Sequence, residues 1–313
     1  MPWFGPLRKD FGFWLKSAEL NPSIDFLIPT DQDIVAPPIN VKVINTKLTF
    51  IEDLAKKNVW EGSIISIPYK MCDYKVAYGE MFQDYIKEYD FWGHCDADMI
   101  FGDIRKYVTD DILEKYDRLG VDGFFSLFRN TPEINSIYRK AGDIKLIFTD
   151  QKPFGFDEWG LNHNGTAHYW INNLKDKVWL DKVFDNLAPY HYGFFSGTIR
   201  KFHLGITNVM FSFENGKLFR YGLNNGKVVK DESLYVHVQK RPIYVNTNVD
   251  NYFSIVPPGK YISYVKKVTP FYLKTHIREG RFWTYYTLIR NKLNKFIGKG
   301  MWQNTVLFPD EDM

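Results

Sequence analysis

The sequence predicts an α/β fold: a mixed, mainly parallel sheet flanked by helices, β-hairpins in the second half, and a basic helical C-terminal tail. Three observations lead there. In the first half, short apolar runs alternate with segments of helical periodicity. In the second half, two Asn-Gly pairs sit between apolar runs, which signals tight hairpins. After Pro258 the composition shifts to Lys, Arg and aromatic residues.

Taken in order, Phe11, Trp14, Leu15 and Ala18 have helical spacing. Short strands follow at Asp25 to Thr30 and Val41 to Ile44, with a Pro-Pro turn between them. Thr49 is placed to cap a helix from Phe50 to Lys57. A longer helix is expected over Tyr69 to Glu88, leading into FWGHCDADMIF. Beyond Asp103 the pattern is helical to about Leu119; Gly123 to Phe128 reads as strand and Pro132 to Lys140 as helix. PFGFDEWGLNHNG, from Pro153, reads as loop. Hairpins are expected at Asn215-Gly216 and Asn225-Gly226, and a last strand at Ser233 to Val238. The organisation is therefore one domain over 1–258, with a first part to about 130 and a second over 131–258, followed by a tail over 259–313.

Composition narrows the class. Hydrophobic residues are 45% and charged residues 25% of the 313, ordinary values for a globular chain. The aromatic share of 18% favours a protein with a binding cleft. Two cysteines, Cys72 and Cys95, make no framework and no zinc spacing, which fits a reducing cytoplasmic setting. MPWFGPLRKD lacks a signal-peptide core, and no run approaches the roughly 20 apolar residues of a membrane span. From Gly259 to Gly300 ten Lys/Arg face one acid, Glu279, so this segment carries +9 and the rest −6 within a net +3. Such a basic, aromatic segment suits an anionic bilayer at the inner face of the plasma membrane, a helix packed back onto the domain, or an oligomer contact. Nucleic acid is not an expected partner, because no recognition module is visible and the body is acidic.

The residues with most chemistry lie in FWGHCDADMIFGDI. Asp96 and Asp98 are two apart, and on an extended segment two such residues share a face with Cα atoms about 6.6 Å apart. Carboxylates that close repel unless a cation sits between them, and oxygen ligands favour Mg²⁺ or Mn²⁺. A strand's carboxyl end is also where open α/β sheets bind ligands. The alternative is one turn-capping and one solvated Asp. Asp103 is expected to cap the next helix, Cys95 to fill core and His94 to pack.

These residues carry a resemblance. PYKMCDYKVAYGEMFQDYIKEYDFWGHCDADMIFGDIRKYV resembles the donor-binding half of GT-A fold, Rossmann-type glycosyltransferases that use nucleotide sugars. With MPWFGPLRKDFGFWLKSAELNPSIDFLIPTD and LYVHVQKRP, the chain over roughly 1–245 also resembles an uncharacterised bacterial family associated with capsule and surface-polysaccharide synthesis. The resemblance implies Mn²⁺ or Mg²⁺, a nucleotide-sugar donor (a UDP-sugar favoured) and a glycan or lipid-linked acceptor. It makes Asp98 a metal ligand, Asp96 a ligand or ribose contact, and His237 the third ligand. His237 alternates with Val236 and Val238, so it faces away from two core-type side chains. Lys240 and Arg241 could meet the donor phosphate or be surface charge. Asp157 or Glu158 could take the acceptor proton, Asp157 preferred, or serve as a cap or acceptor contact. Lys75 could reach the donor, whereas Lys70 and Asp73, three apart, could pair. Trp3 and Phe4 could wall a nucleobase, with one ring in the core, and Gly5 permits close backbone approach.

GT-A domains open with a full apolar strand, so Met1 to Phe4 is expected to be its remnant, or the first residues are missing. Two rival readings remain. A haloacid-dehalogenase-like phosphatase also places D-x-D after a strand, but it wants Thr or Val where this chain has Ile100. A non-catalytic carbohydrate-binding protein would use the aromatic residues alone.

Overall fold

The computed structural model describes residues 1–140, 144–157, 177–181, 183–189, 191–195, 205–239 and 241–280, with 282, 285, 286, 289 and 293 beyond them. Glu158, Lys240 and most of the tail thus lie outside the described residues. The chain divides into two compact units that exchange segments. The first holds Met1–Leu7, Asp25–Ala97 and Val108–Asp181; the second holds Arg8–Ile24, Asp98–Tyr107 and the chain from 182 onward.

In the first unit, β1 (Phe26–Thr30) and β2 (Val41–Asn45) pair in parallel, Phe26 opposite Val41 and Thr30 opposite Asn45. Trp3 makes a parallel bridge to Thr30, its N–H donating to the Pro29 carbonyl at 2.8 Å. A second sheet runs in the order β3 (Phe91–Cys95), β6 (Phe125–Arg129), β5 (Arg118–Asp122), β7 (Val178–Trp179). Only β5/β7 is parallel within it. The helix Leu48–Asn58 and the shorter helical turns build the core with this sheet. There Trp92 stacks on Phe128 at 4.4 Å and Tyr74 on Phe148 at 4.5 Å between ring centroids.

In the second unit, a three-stranded sheet has the order β4 (Met99–Phe101), β12 (Tyr235–His237), β8 (Asp185–Asn186). A six-stranded sheet has the order β11 (Lys227–Ser233), β10 (Lys217–Asn224), β9 (Ile206–Glu214), β14 (Tyr252–Val256), β15 (Lys260–Ser263), β13 (Tyr244–Val245). The amphipathic helix Phe11–Glu19 drops Phe13 into this core, 4.8 Å from the Phe253 ring and 4.6 Å from Tyr261. Each ring so buried contributes about 1.5–3 kcal/mol. Much of the aromatic share that suggested a cleft is therefore interior.

The mixed α/β class holds, but the mainly parallel sheet does not: antiparallel pairs predominate among the described strands. Very short connections join antiparallel neighbours, and β5–β6, β9–β10, β10–β11 and β14–β15 are each linked by two or three residues. Only Gly123 and Phe124 separate β5 from β6. The hairpins β9–β10 and β10–β11 turn at Asn215-Gly216 and Asn225-Gly226, all four residues at positive φ as the tight turn requires. Two helix expectations also change. The helix Leu48–Asn58 begins after Lys47 with no side-chain cap, so Thr49 lies inside it. The long helix over Tyr69 to Glu88 is instead a series of short helical turns. Every residue from Asp73 to Gly79 is buried, whereas a straight amphipathic helix buries one stripe.

Candidate metal centre at Asp96, Asp98 and His237

β3 ends at Cys95, Asp96 follows, and Ala97 and Asp98 turn the chain into β4. The D-x-D therefore sits on a turn between strands of two different sheets rather than on one extended strand. The two Asp residues belong to different units, and each is held by its own surroundings.

In the second unit, β12 runs antiparallel to β4 with His237 opposite Met99, and the Val238 N–H donates to the Asp98 carbonyl at 2.8 Å. That register carries the His237 side chain to Asp98: Nε2 lies 3.0 Å from Oδ1. Val236 and Val238 are in the core, as the alternation predicts. On its other side the ring meets Asn186, with Nδ1 3.0 Å from Oδ1. The Gln239 amide nitrogen donates both to that Asn186 oxygen at 2.8 Å and to the Leu187 carbonyl at 3.0 Å. Because the Leu187 carbonyl can only accept, the Gln239 NH₂ group faces Asn186, so Asn186 presents its oxygen. His237 Nδ1 therefore donates to Asn186, and Nε2 is the nitrogen aimed at Asp98: protonated, it donates to that carboxylate, and on losing that proton it becomes able to ligate a cation.

Sequence reasoning missed Asn186, Gln239 and Arg8. Arg8 places Nη1 4.0 Å from Asp98 Oδ2 and forks onto Asp10 at 3.0 and 3.1 Å; Asp10 in turn accepts from the Tyr261 hydroxyl at 2.9 Å. No local pattern marks these residues, since they meet only through tertiary pairing. Burial alone would raise the Asp98 pKa, but the charge and hydrogen bond of His237, followed by the charge of Arg8, hold it well below the usual carboxylate range.

In the first unit, Asp96 donates its N–H to the Phe124 carbonyl at 3.0 Å and takes Lys75 Nζ on Oδ1 at 2.6 Å. Lys75 also donates to the Gly123 carbonyl at 2.6 Å and stands 3.5 Å from Asp157 Oδ2. Burial would lower the Lys75 pKa, yet the charges of Asp96 and Asp157 raise it well above the ordinary value. Asp157, preferred as base, is thus buried beside a lysine. The loop leading to it is fixed by a second buried pair. Lys70 donates to Asp73 at 2.8 Å, Ile147 O at 2.6 Å and Lys152 O at 2.8 Å, and Asp73 accepts from Phe154 N and Phe156 N.

The remaining candidates fall elsewhere. Phe4 belongs to the first unit's core. Trp3 donates its indole N–H to the Gly5 carbonyl at 3.1 Å. Gly5 has φ +97° and faces open space, and its N–H donates to Asp31 at 2.9 Å. Arg241 is buried, with its guanidinium on the carbonyls of Tyr192, Pro258, Ala188 and Gly193. Asp103 caps as expected, accepting from Lys106 N at 3.1 Å. His94 is packed, 3% exposed, and burial holds its pKa well below the ordinary value.

Chemically, the Asp98–His237 pair makes an Asp–Asp–His set with Asp96, which consecutive 3.8 Å Cα spacings keep within about 7.6 Å of Asp98. Two carboxylate oxygens and an imidazole nitrogen oriented through its other nitrogen suit a divalent cation such as Mn²⁺ or Mg²⁺. What the fold and site define so far is a mixed α/β protein with a ligand set able to hold one metal ion. Over residues 1–264 the chain matches a family of unknown function (DUF6625), and it belongs to that family. No curated protein matches it. No solved structure matches it either. Among the described residues, no helix is long and apolar enough to cross a membrane.

Proposed function

We propose that this chain is a metal-dependent glycosyltransferase. It moves a sugar, a hexose in type, from a nucleotide diphosphate donor, with a UDP-sugar favoured, to a glycan or lipid-linked glycan of a bacterial surface polysaccharide. The observation that carries the reading is that His237, far from Asp98 in sequence, reaches 3.0 Å from it through the β4/β12 register. That is the third ligand which the resemblance to GT-A enzymes implies beside a D-x-D.

In the reaction, the acceptor hydroxyl oxygen bonds to the anomeric carbon. The bond from that carbon to the diphosphate breaks, and its electron pair leaves on the diphosphate. The hydroxyl proton passes to a carboxylate, Asp157 or Glu158, or to the departing phosphate. A bound Mn²⁺ or Mg²⁺ would supply charge neutralisation for the leaving group. Asp96, Asp98 and His237 would hold it, and Asn186, by accepting from Nδ1, would orient the His237 ring so that Nε2 faces the ion. Trp3 and Gly5 would border the base of the nucleotide.

Isothermal titration with UDP, GDP and CDP, each with and without Mn²⁺, tests the reading. Metal-dependent binding of one nucleotide, lost in Asp98→Ala while the melting temperature holds, supports it. Binding of no nucleotide overturns it, as does metal-dependent release of phosphate from a simple phosphomonoester, which is phosphatase behaviour.

A further inference from the structure

The basic segment after Pro258 has no place in that chemistry. It begins well anchored. In the helix Pro270–His276, Thr269 caps the Tyr272 N–H, Leu273 is fully buried and Ile277 is 1% exposed. The only acid between Gly259 and Gly300 is used locally: Glu279 accepts the Asn208 N–H at 3.1 Å, and its carbonyl accepts from Gly193 N. Gly280 then turns the chain at φ +53°, so close to Tyr192 that a Cβ there would lie 2.3 Å from the ring.

Beyond this turn the burial pattern inverts. Phe282, Tyr285, Tyr286, Ile289 and Leu293 are helical and all exposed, Tyr285 by 67% and Ile289 and Leu293 by 59% each. Their spacing of three and four residues places them in one stripe about 100° wide. The stripe is apolar and aromatic, yet it faces outward. Arg281, Arg290 and Lys292 are interleaved with it in sequence, and no acid follows until Asp310. Phe271, on the preceding helix, is also 74% exposed.

An acidic protein partner would explain the charge but not five exposed apolar residues in register. A neutral apolar partner would explain the stripe but not five Lys/Arg and no acid from Arg281 to Gly300. An anionic bilayer explains both: the rings and aliphatic side chains enter the acyl boundary while Lys and Arg meet lipid phosphates. We propose that the exposed stripe of Phe282, Tyr285, Tyr286, Ile289 and Leu293 docks this protein on anionic phospholipid, with Gly280 and Glu279 fixing where it leaves the folded unit. Docking does not depend on the nucleotide-sugar reading and is measured without nucleotide. Were both correct, the enzyme would meet its acceptor at a membrane surface.

Co-sedimentation of the full chain with phosphatidylcholine vesicles, and with phosphatidylcholine–phosphatidylglycerol vesicles, tests this. Binding to the anionic vesicles alone is expected, weakening with salt and falling about fivefold for each cation neutralised, as in Arg290→Gln or Lys292→Gln. Ile289→Asp with Leu293→Asp should abolish it and leave the far-UV spectrum and melting temperature of the folded units unchanged. Sedimentation that this pair does not reduce would overturn the proposal. So would no binding to anionic vesicles, or a wild-type dimer in light scattering that the pair converts to monomer without any lipid binding.

Discussion

Replacing Lys70 with Met tests how the loop before Asp157 is held. Lys70 and Asp73 are both fully buried and 2.8 Å apart. At an effective dielectric near 20 that separation corresponds to about 6 kcal/mol of gross attraction, most of it offset by the cost of taking both charges out of water. The substitution leaves Asp73 with its hydrogen bonds from Phe154 N and Phe156 N but without its cation, and it removes the donor to Ile147 O and Lys152 O. The cation–π contact of Nζ with the Phe154 ring, at 4.9 Å, goes too. Breaking a buried pair from one side costs about 3–5 kcal/mol. Urea unfolding followed by tryptophan fluorescence should show this as a lower midpoint at unchanged slope. Asp73→Asn in the Lys70→Met background keeps an acceptor for the two N–H groups and removes the stranded charge, so it should recover about half of the loss. A single-variant loss below about 1 kcal/mol, or a second substitution that adds its own full cost, would refute a pair that works as a unit.

Two further outcomes follow from the geometry. Burial pushes the Tyr74 hydroxyl up to about 12, so its contribution to stability is intact below pH 10, where the unfolded tyrosine is also protonated. Between pH 10 and 12 the unfolded state loses a proton that the folded state keeps. Stability should therefore fall by about 3 kcal/mol over that window. Urea midpoints across pH 9–12 measure this, and Tyr74→Phe should flatten that part of the decline. Asn186→Ala removes the acceptor that fixes the His237 ring and should weaken Mn²⁺ binding by about 10- to 100-fold, read by titration of free Mn²⁺. Unchanged affinity would show that Asn186 has no part in orienting the ligand.

Local signals in the sequence were legible where one short stretch decides its own conformation. Asn215-Gly216 and Asn225-Gly226 adopt the positive φ that makes a two-residue hairpin, Asp103 caps the turn it precedes, and Lys70 pairs with Asp73. His237 could be placed on the face opposite Val236 and Val238 because a strand alternates strictly. Strand direction was not legible, since alternation of strand and helix is the same pattern whether chains pair parallel or antiparallel. The short connections around β5–β6 and β9–β10–β11 settled it.

Alone, the sequence offered two carboxylates two residues apart, and the resemblance added a histidine on a distant strand. Only the tertiary structure decided which atoms meet. Pairing of β4 with β12 brought Nε2 of His237 to Asp98, and Asn186, whose amide is oriented by Gln239 two residues past the histidine, took Nδ1 on the other side. In the first unit the fold gave Asp96 to Lys75, and in the second it buried Arg241 on four carbonyls. The physical reason is the same in each case. A charged side chain leaving water takes whatever opposite charge or hydrogen-bond partner the packed chain offers, and that partner is fixed by register and burial rather than by sequence neighbours.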